Sequence, residues 1–492
     1  MTSESAWERI ERRNLRRRER WRRERWRRQL RPGDRPDPSR PAGTDTLPQV
    51  KHIVVLMMEN HSFDNYLGTL GRGEGLPRGA DGAPEAENPD SAGTMIRAYH
   101  APSTVQQDGV PTQSWCASHI QWAGGKMTGF VAATEQVMPD GHDKAAAMGY
   151  WTEQDLPFYH GLAGTFPLAD RWFSSCLGPT FPNRRFLLAG TANGLMDDLP
   201  FNLLDRPKAG TIMEMLTRHE ISWFNYRPAG TDQSQLSRYL RYRRRRSRHH
   251  LTSYGRPLRR TSEAFKRDLQ FTAAIYPLGM AGYMAHVRST DDFFADADSG
   301  NLPSFCIVDP DFRSFSEENP QDIRKGESFA AEVINRVMHG PGWADTLLIW
   351  VYDENGGYYD HVPPPAAVPP DDVRGRSLAT RPGLPRTLLK LLFPGYARHA
   401  EELVAGPDAY DTYGFRVPAV IVSPYARPDC VLSDVFDHTS VLRLVEEKWN
   451  LPALTRRDAA ALAPLGALDL TAPPAFLTPP ELPKPALEWG SW

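Results

Sequence analysis

Cysteine is scarce in this sequence. Its 492 residues include only four cysteines, which are widely separated: Cys116, Cys176, Cys306 and Cys430. No pair has the spacing of a zinc finger or of a CxxC redox motif. The sequence therefore gives no support to a thiolate metal site or a disulfide scaffold, and we expect free, buried thiols.

Long apolar runs are also lacking. No segment approaches the roughly 20 consecutive apolar residues that a transmembrane helix needs. No apolar stretch follows the basic N-terminus, as it would in a secretory signal. We therefore expect a cytoplasmic or peripheral membrane protein. The formal net charge of −2 gives the chain as a whole no attraction to nucleic acid or to a membrane surface.

Positive charge is nevertheless concentrated at the N-terminus. Residues 1–32 contain 13 Arg and 5 Glu, a net charge of +8, which leaves −10 for the rest of the chain. Arg and Glu at helical spacing predict a basic helix, which would either tether the protein to anionic lipid or nucleic acid or remain a solvated, partly disordered tail. Residues 33–47 are rich in Pro, Gly and Asp and predict a linker. We therefore divide the chain into residues 1–47 and a folded domain over 48–492.

Within residues 48–492, predicted strands and helices alternate, which is typical of an α/β domain. Apolar residues make up 40% of the chain, enough for a large core, and 44 Pro indicate long ordered loops. A second basic run, 236–260, predicts a solvated insertion. It lacks the aromatic–basic interleaving of nucleic-acid recognition modules, so we expect no nucleic-acid partner.

Acidic residues follow two of the predicted buried strands. The apolar run 347–352 ends at Asp353 and Glu354, and the Gly pair 356–357 then permits a tight turn. The strand 50–58 ends at Glu59 and Asn60. Ligands bind beyond the carboxyl ends of strands in α/β sheets, and carboxylate and amide oxygens suit a hard cation. These strand ends predict a metal-assisted hydrolase site, although a capped strand end would explain either acidic pair taken alone.

A constrained hydroxyl is the second candidate feature. Gly178, Pro179 and Pro182 fix a turn around Thr180. The sequence predicts a helix from Arg185, with Asn183 as its cap. A hydroxyl beside a helix N-terminus lies where backbone N–H groups can hold phosphate oxygens. The alternative is a structural turn in which Thr180 only caps the chain.

Seven segments together resemble a known family. They follow one another between Lys51 and Trp449: HIVVLMMENHSFDNYLG, GGKMTGFV, GYWTEQDLPFY, LADRWFSSCLGPTFPNRRFLLAGT, YDENGGYYDHVPPP, GFRVPAVIVSPYAR and FDHTSVLRLVEEKW. In this order they resemble the bacterial phosphoesterase family of phospholipases C and a related acid phosphatase, in the alkaline-phosphatase-like superfamily. The resemblance implies a three-layer α/β/α sandwich around a mixed central sheet, with long loop insertions.

The resemblance also implies a mechanism and its residues. The nucleophile falls on Thr180, which would carry a phosphothreonine intermediate, and one divalent metal ion would be held by Glu59, Asn60, Thr180, Asp353 and Glu354. Cationic and polar groups around the phosphate would be Arg184, Lys126 and Asn183. A histidine would protonate the leaving alcohol, and the candidates in order are His361, His438 and His119.

Two positions depart from the family pattern. Relatives commonly carry histidine where this chain has Gln113 and Asn319. The leading hypothesis is a phosphodiesterase of phospholipase C type acting on phospholipids. A phosphomonoesterase of acid-phosphatase type is the alternative with the same core, and a degenerate phosphate- or lipid-binding protein without activity is the alternative of another class.

Overall fold

The structure, a computed structural model, describes residues 31–107, 110–137, 143–198, 206–228, 281–377 and 404–491. Residues 1–30 of the predicted basic helix and the basic run 236–260 lie outside the described residues, so these two predictions are not tested. Within the described residues, no helix combines the length and apolar character needed to cross a bilayer. The four cysteines are all free, as the sequence predicted, but only Cys176 and Cys306 are buried, whereas Cys116 and Cys430 are partly exposed.

An eight-stranded mixed sheet forms the centre of the part of the chain that the structure describes. The strands are β1 His52–Met58, β2 Glu87–Pro89, β3 Met95–Arg97, β4 Tyr99–His100, β5 Gly149–Tyr150, β6 Leu168–Ala169, β7 Trp223–Arg227, β8 Val287–Ser289, β9 Phe305–Val308, β10 Thr346–Tyr352, β11 Ala419–Val422 and β12 Val431–Leu432. The sheet order is β12-β6-β11-β10-β1-β9-β7-β8, and β2–β3 and β4–β5 form two small separate pairs. Strand β1 runs parallel to β9 and β10, whereas β11 is antiparallel to β10.

Helices cover both faces of this sheet, which confirms the predicted three-layer sandwich. They are α1 Phe63–Leu67, α2 Trp115–Trp122, α3 Phe130–Val137, α4 Pro157–Thr165, α5 Thr180–Ala189, α6 Ile212–Arg218, α7 Thr290–Ser299, α8 Ile323–His339, α9 Thr439–Trp449 and α10 Arg456–Ala459. Because both faces are covered, β1 and β10 are almost wholly buried, and this explains their continuous apolar sequences.

One predicted helix boundary was wrong. Helix α5 begins at Thr180 instead of Arg185, because Pro182 lies in the first turn, where a missing N–H removes no intrahelical bond.

The predicted linker is fastened to the folded domain. The Asn450 side-chain amide donates to the carbonyls of Asp37 and Arg40, and its Oδ1 accepts from the Asp37 amide at 2.8 Å. Lys448 Nζ donates to Asp45 at 2.8 Å. Residues 33–47 thus lie against the C-terminal end of α9.

Candidate active site

Three neighbouring strands bring acidic residues to one edge of the sheet. Met58 pairs with Tyr352 and Leu56 with Val308, so the carboxyl ends of β1, β10 and β9 lie side by side. The residues that follow these ends are Glu59 and Asn60 after β1, Asp353 and Glu354 after β10, and Asp309 after β9. All five are at most 2% exposed. The sequence predicted that the first two pairs would meet, and the parallel register explains why they do.

A tight turn locks Asn60 against the end of β10. Asn60 has a positive φ of 69°, and its backbone N–H donates to Asp353 Oδ1 at 3.3 Å. Gly356 also has a positive φ, and a Cβ there would lie 1.9 Å from the Asn60 carbonyl oxygen. Only glycine allows this approach, so the double-glycine turn holds Asn60 beside the acidic pair.

Thr180 lies at this same edge. It is the first residue of α5, and its Oγ1 lies 3.5 Å from Asn60 Oδ1. Asn183 does not cap the helix. Its side chain accepts from the Cys176 amide and donates to the Gly178 carbonyl at 2.8 Å, so it braces the turn that presents Thr180. The structure therefore brings Thr180 together with the strand-end residues and places Asn183 behind them.

Two carboxylate oxygens at this edge are buried without a hydrogen-bond partner among the described residues: Glu59 Oε2 and Glu354 Oε1. Burial, together with the charge of Asp353, raises the pKa of Glu59 and of Glu354 well above the ordinary value. Such oxygens are costly to bury unless a cation or proton compensates them. A hard divalent cation between Glu59, Asn60, Thr180 and Glu354 would supply that compensation, so the residues present fit the predicted metal ion.

Arg184 points into the same acidic edge and is fully buried. Its Nε donates to Asp353 Oδ2 at 2.9 Å, and its Nη1 donates to Asp309 Oδ1 at 2.8 Å. Glu59 Oε1 lies 3.7 Å from Nη2. The guanidinium predicted to bind phosphate is therefore engaged with carboxylates of the protein.

The N-terminus of α5 is already bound by an acidic side chain, that of Asp198. The Phe181 amide, next to Thr180, donates to Asp198 Oδ1 at 2.8 Å. The sequence predicted that helix amides here would hold phosphate oxygens, and this one already has an anionic partner. A phosphate on Thr180 would therefore have to share the amide with Asp198 or displace its carboxylate.

The three candidate histidines have different surroundings. His438 is buried, and burial lowers its pKa to about 4. Its Nε2 lies 2.6 Å from the Asp353 carbonyl oxygen and its Nδ1 lies 3.5 Å from Trp172 Nε1, so the neutral ring has both nitrogens engaged. His119 lies one turn from Trp115, whose ring would meet a Cβ at Gly178. Burial lowers the pKa of His119 as well.

His361 belongs to a second buried cluster. Its Nδ1 lies 2.6 Å from Asp64 Oδ2, and single ligand atoms of Asp64, Asp360 and His361 all lie within 4.8 Å of one another. This spacing would suit a metal ion. However, the Arg416 guanidinium donates to both carboxylates at 2.9 Å and compensates their charge, so we interpret the cluster as an ion-pair network that orients His361.

Lys126 lies on an exposed turn after α2. Its backbone N–H donates to the Ala123 carbonyl. Among the described residues its ammonium group has no hydrogen bond or ion pair. The structure therefore does not join Lys126 to the strand-end residues.

Sequence comparison agrees with this arrangement. The profile of the Phosphoesterase family matches residues 50–452, which include every strand-end acid, the Thr180 turn and all three candidate histidines. The chain belongs to the Phosphoesterase family. It is therefore a hydrolase that acts on phosphate ester bonds, with the alkaline-phosphatase-like fold of that family. Phosphoesterase family members are in general metal-dependent, which accords with the unpartnered carboxylate oxygens.

Curated Phosphoesterase relatives carry phospholipase C names. Phospholipase C A of Mycobacterium tuberculosis is 30% identical over 464 residues, covering 90% of this chain and 80% of the relative. Non-specific phospholipase C3 of Arabidopsis thaliana is 27% identical, covering 90% and 78%. Hemolytic phospholipase C of Pseudomonas aeruginosa is 28% identical, and the match covers 83% of this chain but 54% of that longer relative.

The two departures from the family pattern lie in neighbouring loops of this phosphoesterase. The Asn319 amide donates to the Val110 carbonyl, which ties the loop before α8 to the loop that carries Gln113. Thr112, next to Gln113, closely approaches Gly357 in the double-glycine turn. Both departures therefore border the strand-end site.

Sequence reasoning missed three groups that shape the phosphoesterase site. The place of Asp309 beside the end of β1 was not deduced. Asp198 carried no sequence signal, because it lies 17 positions after Phe181, whose amide donates to it. The Asp64–Arg416 pair joins residues 352 positions apart, and the FDNYLG and GFRVPA motifs were the only indication of it.

Proposed function

We propose that this phosphoesterase is a phospholipase C-type phosphodiesterase, which hydrolyses phospholipids through a phosphothreonine intermediate on Thr180. The observation that carries the proposal is the approach of the Thr180 hydroxyl to Asn60, at an edge where Glu59 and Glu354 each keep a buried, unpartnered carboxylate oxygen. The phospholipase C names of the relatives support the diester and lipid part of the proposal.

A single divalent ion would be held by Glu59, Asn60, Thr180, Asp353 and Glu354. Asp353 remains available as a ligand through Oδ2, which accepts from Arg184 Nε and has a second lone pair, whereas Oδ1 accepts from two backbone amides. When bound, the ion lowers the pKa of the Thr180 hydroxyl and offsets charge on the phosphate oxygens. The identity of the ion follows from the donor set only as far as a hard, oxygen-seeking cation.

The residues of the chain then act in two steps. Thr180 Oγ1 gives up its proton and attacks phosphorus, while the bond from phosphorus to the leaving alcohol breaks and that alcohol takes up a proton. Water then attacks the phosphothreonine, releasing the phosphorylated head group and restoring the hydroxyl. Helix α5 and its Asn183 brace contribute by holding Oγ1 in one position, which lowers the entropic part of the barrier.

His361 is our leading candidate for the acid that protonates the leaving alcohol. The Asp64 carboxylate accepts a hydrogen bond from His361 Nδ1. This bond fixes the orientation of the ring and leaves Nε2 as the nitrogen that would exchange a proton with the leaving alcohol. His119 is the second candidate, since its ring centre lies 4.9 Å from that of Trp115, which packs on the Thr180 turn. For His438 we propose a supporting role, because both of its nitrogens are engaged. Lys126 remains a proposed phosphate contact through its motif alone.

The decisive experiment compares Thr180→Ala with Thr180→Ser. We expect Ala to lower the hydrolysis rate by at least about 10³-fold, as expected for loss of a nucleophile. Ser should keep measurable activity because it retains the hydroxyl. Hydrolysis by Thr180→Ala at the wild-type rate would contradict the proposal.

The substrate class is tested with the wild type on p-nitrophenyl phosphorylcholine and p-nitrophenyl phosphate, both with added divalent metal. A clear preference for the diester supports a phospholipase C. A preference for the monoester would instead indicate a phosphomonoesterase. If neither compound is hydrolysed with any added divalent metal, the result would favour a degenerate phosphate- or lipid-binding protein without activity.

We also propose that residues 1–32 tether the domain 48–492 to anionic membranes. Their net charge of +8 supports this proposal. Deletion of residues 1–30 should reduce sedimentation with phosphatidylserine vesicles at low salt and leave hydrolysis of the soluble chromogenic diester unchanged. Equal sedimentation of both forms would refute the tether.

A further inference from the structure

Arg184 lies where the end carboxylates of β1, β9 and β10 converge. We propose that Arg184 is a positioning residue that occupies the place of a second cation, and that it thereby limits this centre to one metal ion. This assignment replaces the predicted phosphate contact for Arg184. It rests on the proposed function only in assuming that one ion binds on the Glu354 side.

The contacts of Arg184 are those of an internal cation. Its side chain is 0% exposed and forms ion pairs with Asp309 and Asp353 at 2.8 and 2.9 Å. Nη2 also lies 3.4 Å from the Met57 carbonyl oxygen, and the guanidinium stacks 4.8 Å from the centre of the Phe312 ring. A guanidinium held by carboxylates, a carbonyl and a ring face cannot turn towards substrate without leaving buried charges unpaired.

The acidic edge divides into two halves with different hydrogen bonding. On the Arg184 side, every carboxylate oxygen of Asp309 and Asp353 has a donor. Asp309 accepts from Arg184 and Asn225, and Asp353 accepts from Arg184 and two backbone amides. On the other side, Glu59 Oε2 and Glu354 Oε1 have no partner among the described residues. At this edge, the carboxylate oxygens of the described residues that lack a donor, and so can bind a metal ion directly, are therefore those of Glu59 and Glu354.

Charge supports the same division. Four buried carboxyl groups face this edge, after β1, β9 and β10, and one guanidinium offsets part of their charge. A second divalent ion could replace the guanidinium, because Asp309, Asp353 and Glu59 Oε1 all lie within 4 Å of Arg184 nitrogens. Removing the guanidinium should therefore convert its position into a metal site.

The experiment measures bound Mn²⁺ per chain by native mass spectrometry, and thermal unfolding with and without Mn²⁺. We expect one ion in the wild type and two in Arg184→Met. The variant should unfold at a lower temperature than the wild type without metal, and Mn²⁺ should raise its unfolding temperature by more than it raises that of the wild type. The variant Arg184→Lys keeps one positive charge and should bind one ion.

A double variant, Arg184→Met with Asp309→Asn, supplies the matched control. It restores the charge balance of the wild type while removing one ligand of the new site, so it should bind one ion. Two ions in the wild type or in the double variant would overturn the proposal. So would a single ion in Arg184→Met when the wild type also binds one, or failure of that variant to fold even in 5 mM Mn²⁺ while Arg184→Lys folds.

The same measurements separate this proposal from the proposed function. If the wild type binds no ion but Arg184→Met binds one, Arg184 still substitutes for a cation, and the metal site on the Glu354 side is refuted instead. Loss of phosphate-ester hydrolysis in Arg184→Met has no bearing on this outcome, because the readout is stoichiometry and unfolding temperature.

Discussion

Two buried arginines in this phosphoesterase have nearly the same immediate environment. Arg184 donates to Asp353 and Asp309 at 2.9 and 2.8 Å, and Arg416 donates to Asp64 and Asp360 at 2.9 Å each. Both guanidinium groups are fully buried. Each cluster has further polar groups nearby, and composition alone does not tell them apart.

The clusters differ in whether their acids are satisfied. In the Arg416 cluster, all four oxygens of Asp64 and Asp360 accept a hydrogen bond from Arg416, His361 or a backbone amide. In the Arg184 cluster, the adjacent Glu59 and Glu354 each keep one unpartnered oxygen among the described residues. An excess of buried acceptors over donors therefore distinguishes a site for a cation from an ion-pair network.

The first expected difference between the clusters concerns metal binding. Glu354→Gln removes an unpartnered acidic oxygen, and we expect it to weaken Mn²⁺ binding by about 10²-fold and to lower hydrolysis at least as much. Asp360→Asn alters an acid that Arg416 already satisfies, and it should leave the Mn²⁺ affinity within about threefold of wild type. Isothermal titration of both variants checks this. Equal losses of affinity would remove the distinction between the clusters.

The next effect is on stability. Arg416→Met leaves Asp64 and Asp360 as buried charges without a cation, and we expect it to lower the free energy of unfolding by about 3–5 kcal/mol. The control is Arg374→Met, because Arg374 pairs with Asp408 while 74% exposed and should contribute less than about 1 kcal/mol. Urea unfolding measures both. Similar costs for the two variants would show that the buried network contributes no more than a surface pair.

The smallest effect concerns a buried carboxyl that has no arginine. Glu317 accepts hydrogen bonds from Tyr66, Tyr159 and Tyr352, and burial raises its pKa to about 8. Between its unfolded pKa, about 4.5, and pH 8, the folded state keeps a proton that the unfolded state releases. Its contribution to stability is therefore full at low pH and decreases as the pH rises to 8.

Glu317→Gln should flatten this pH dependence, because the amide does not titrate. We expect the stability of wild type relative to the variant to fall by on the order of 1–3 kcal/mol from pH 5 to pH 8. Urea unfolding of metal-free protein at both pH values measures the change. A difference that stays constant with pH would contradict the raised pKa of Glu317.

The sequence predicted the parts of this molecule that depend on local pattern. Apolar runs that end in Glu59 or Asp353 identified the central strands, and parallel pairing of those strands brought the two ends together. The α/β fold class followed from the alternation of predicted strands and helices. The Thr180 turn followed from its Gly and Pro residues and from the motifs of the family.

The sequence did not predict which residues far apart in the chain contact each other. Arg184 meets Asp353 across 169 positions, and nothing near either residue in the sequence indicates the pairing. The RR pair at 184–185 gave no sign that the first guanidinium would be enclosed by acids. The α5 boundary was wrong because a proline in a first helical turn looks, in sequence, like a proline before a helix.

The attachment of residues 33–47 to the end of α9 fixes where the preceding chain leaves the domain. The Gly33 amide donates to the Ala453 carbonyl, so residues 1–30 connect to the domain next to this contact. Thirty residues reach at most about 100 Å when fully extended. Any partner bound by the first residues of the chain therefore lies within about 100 Å of Gly33.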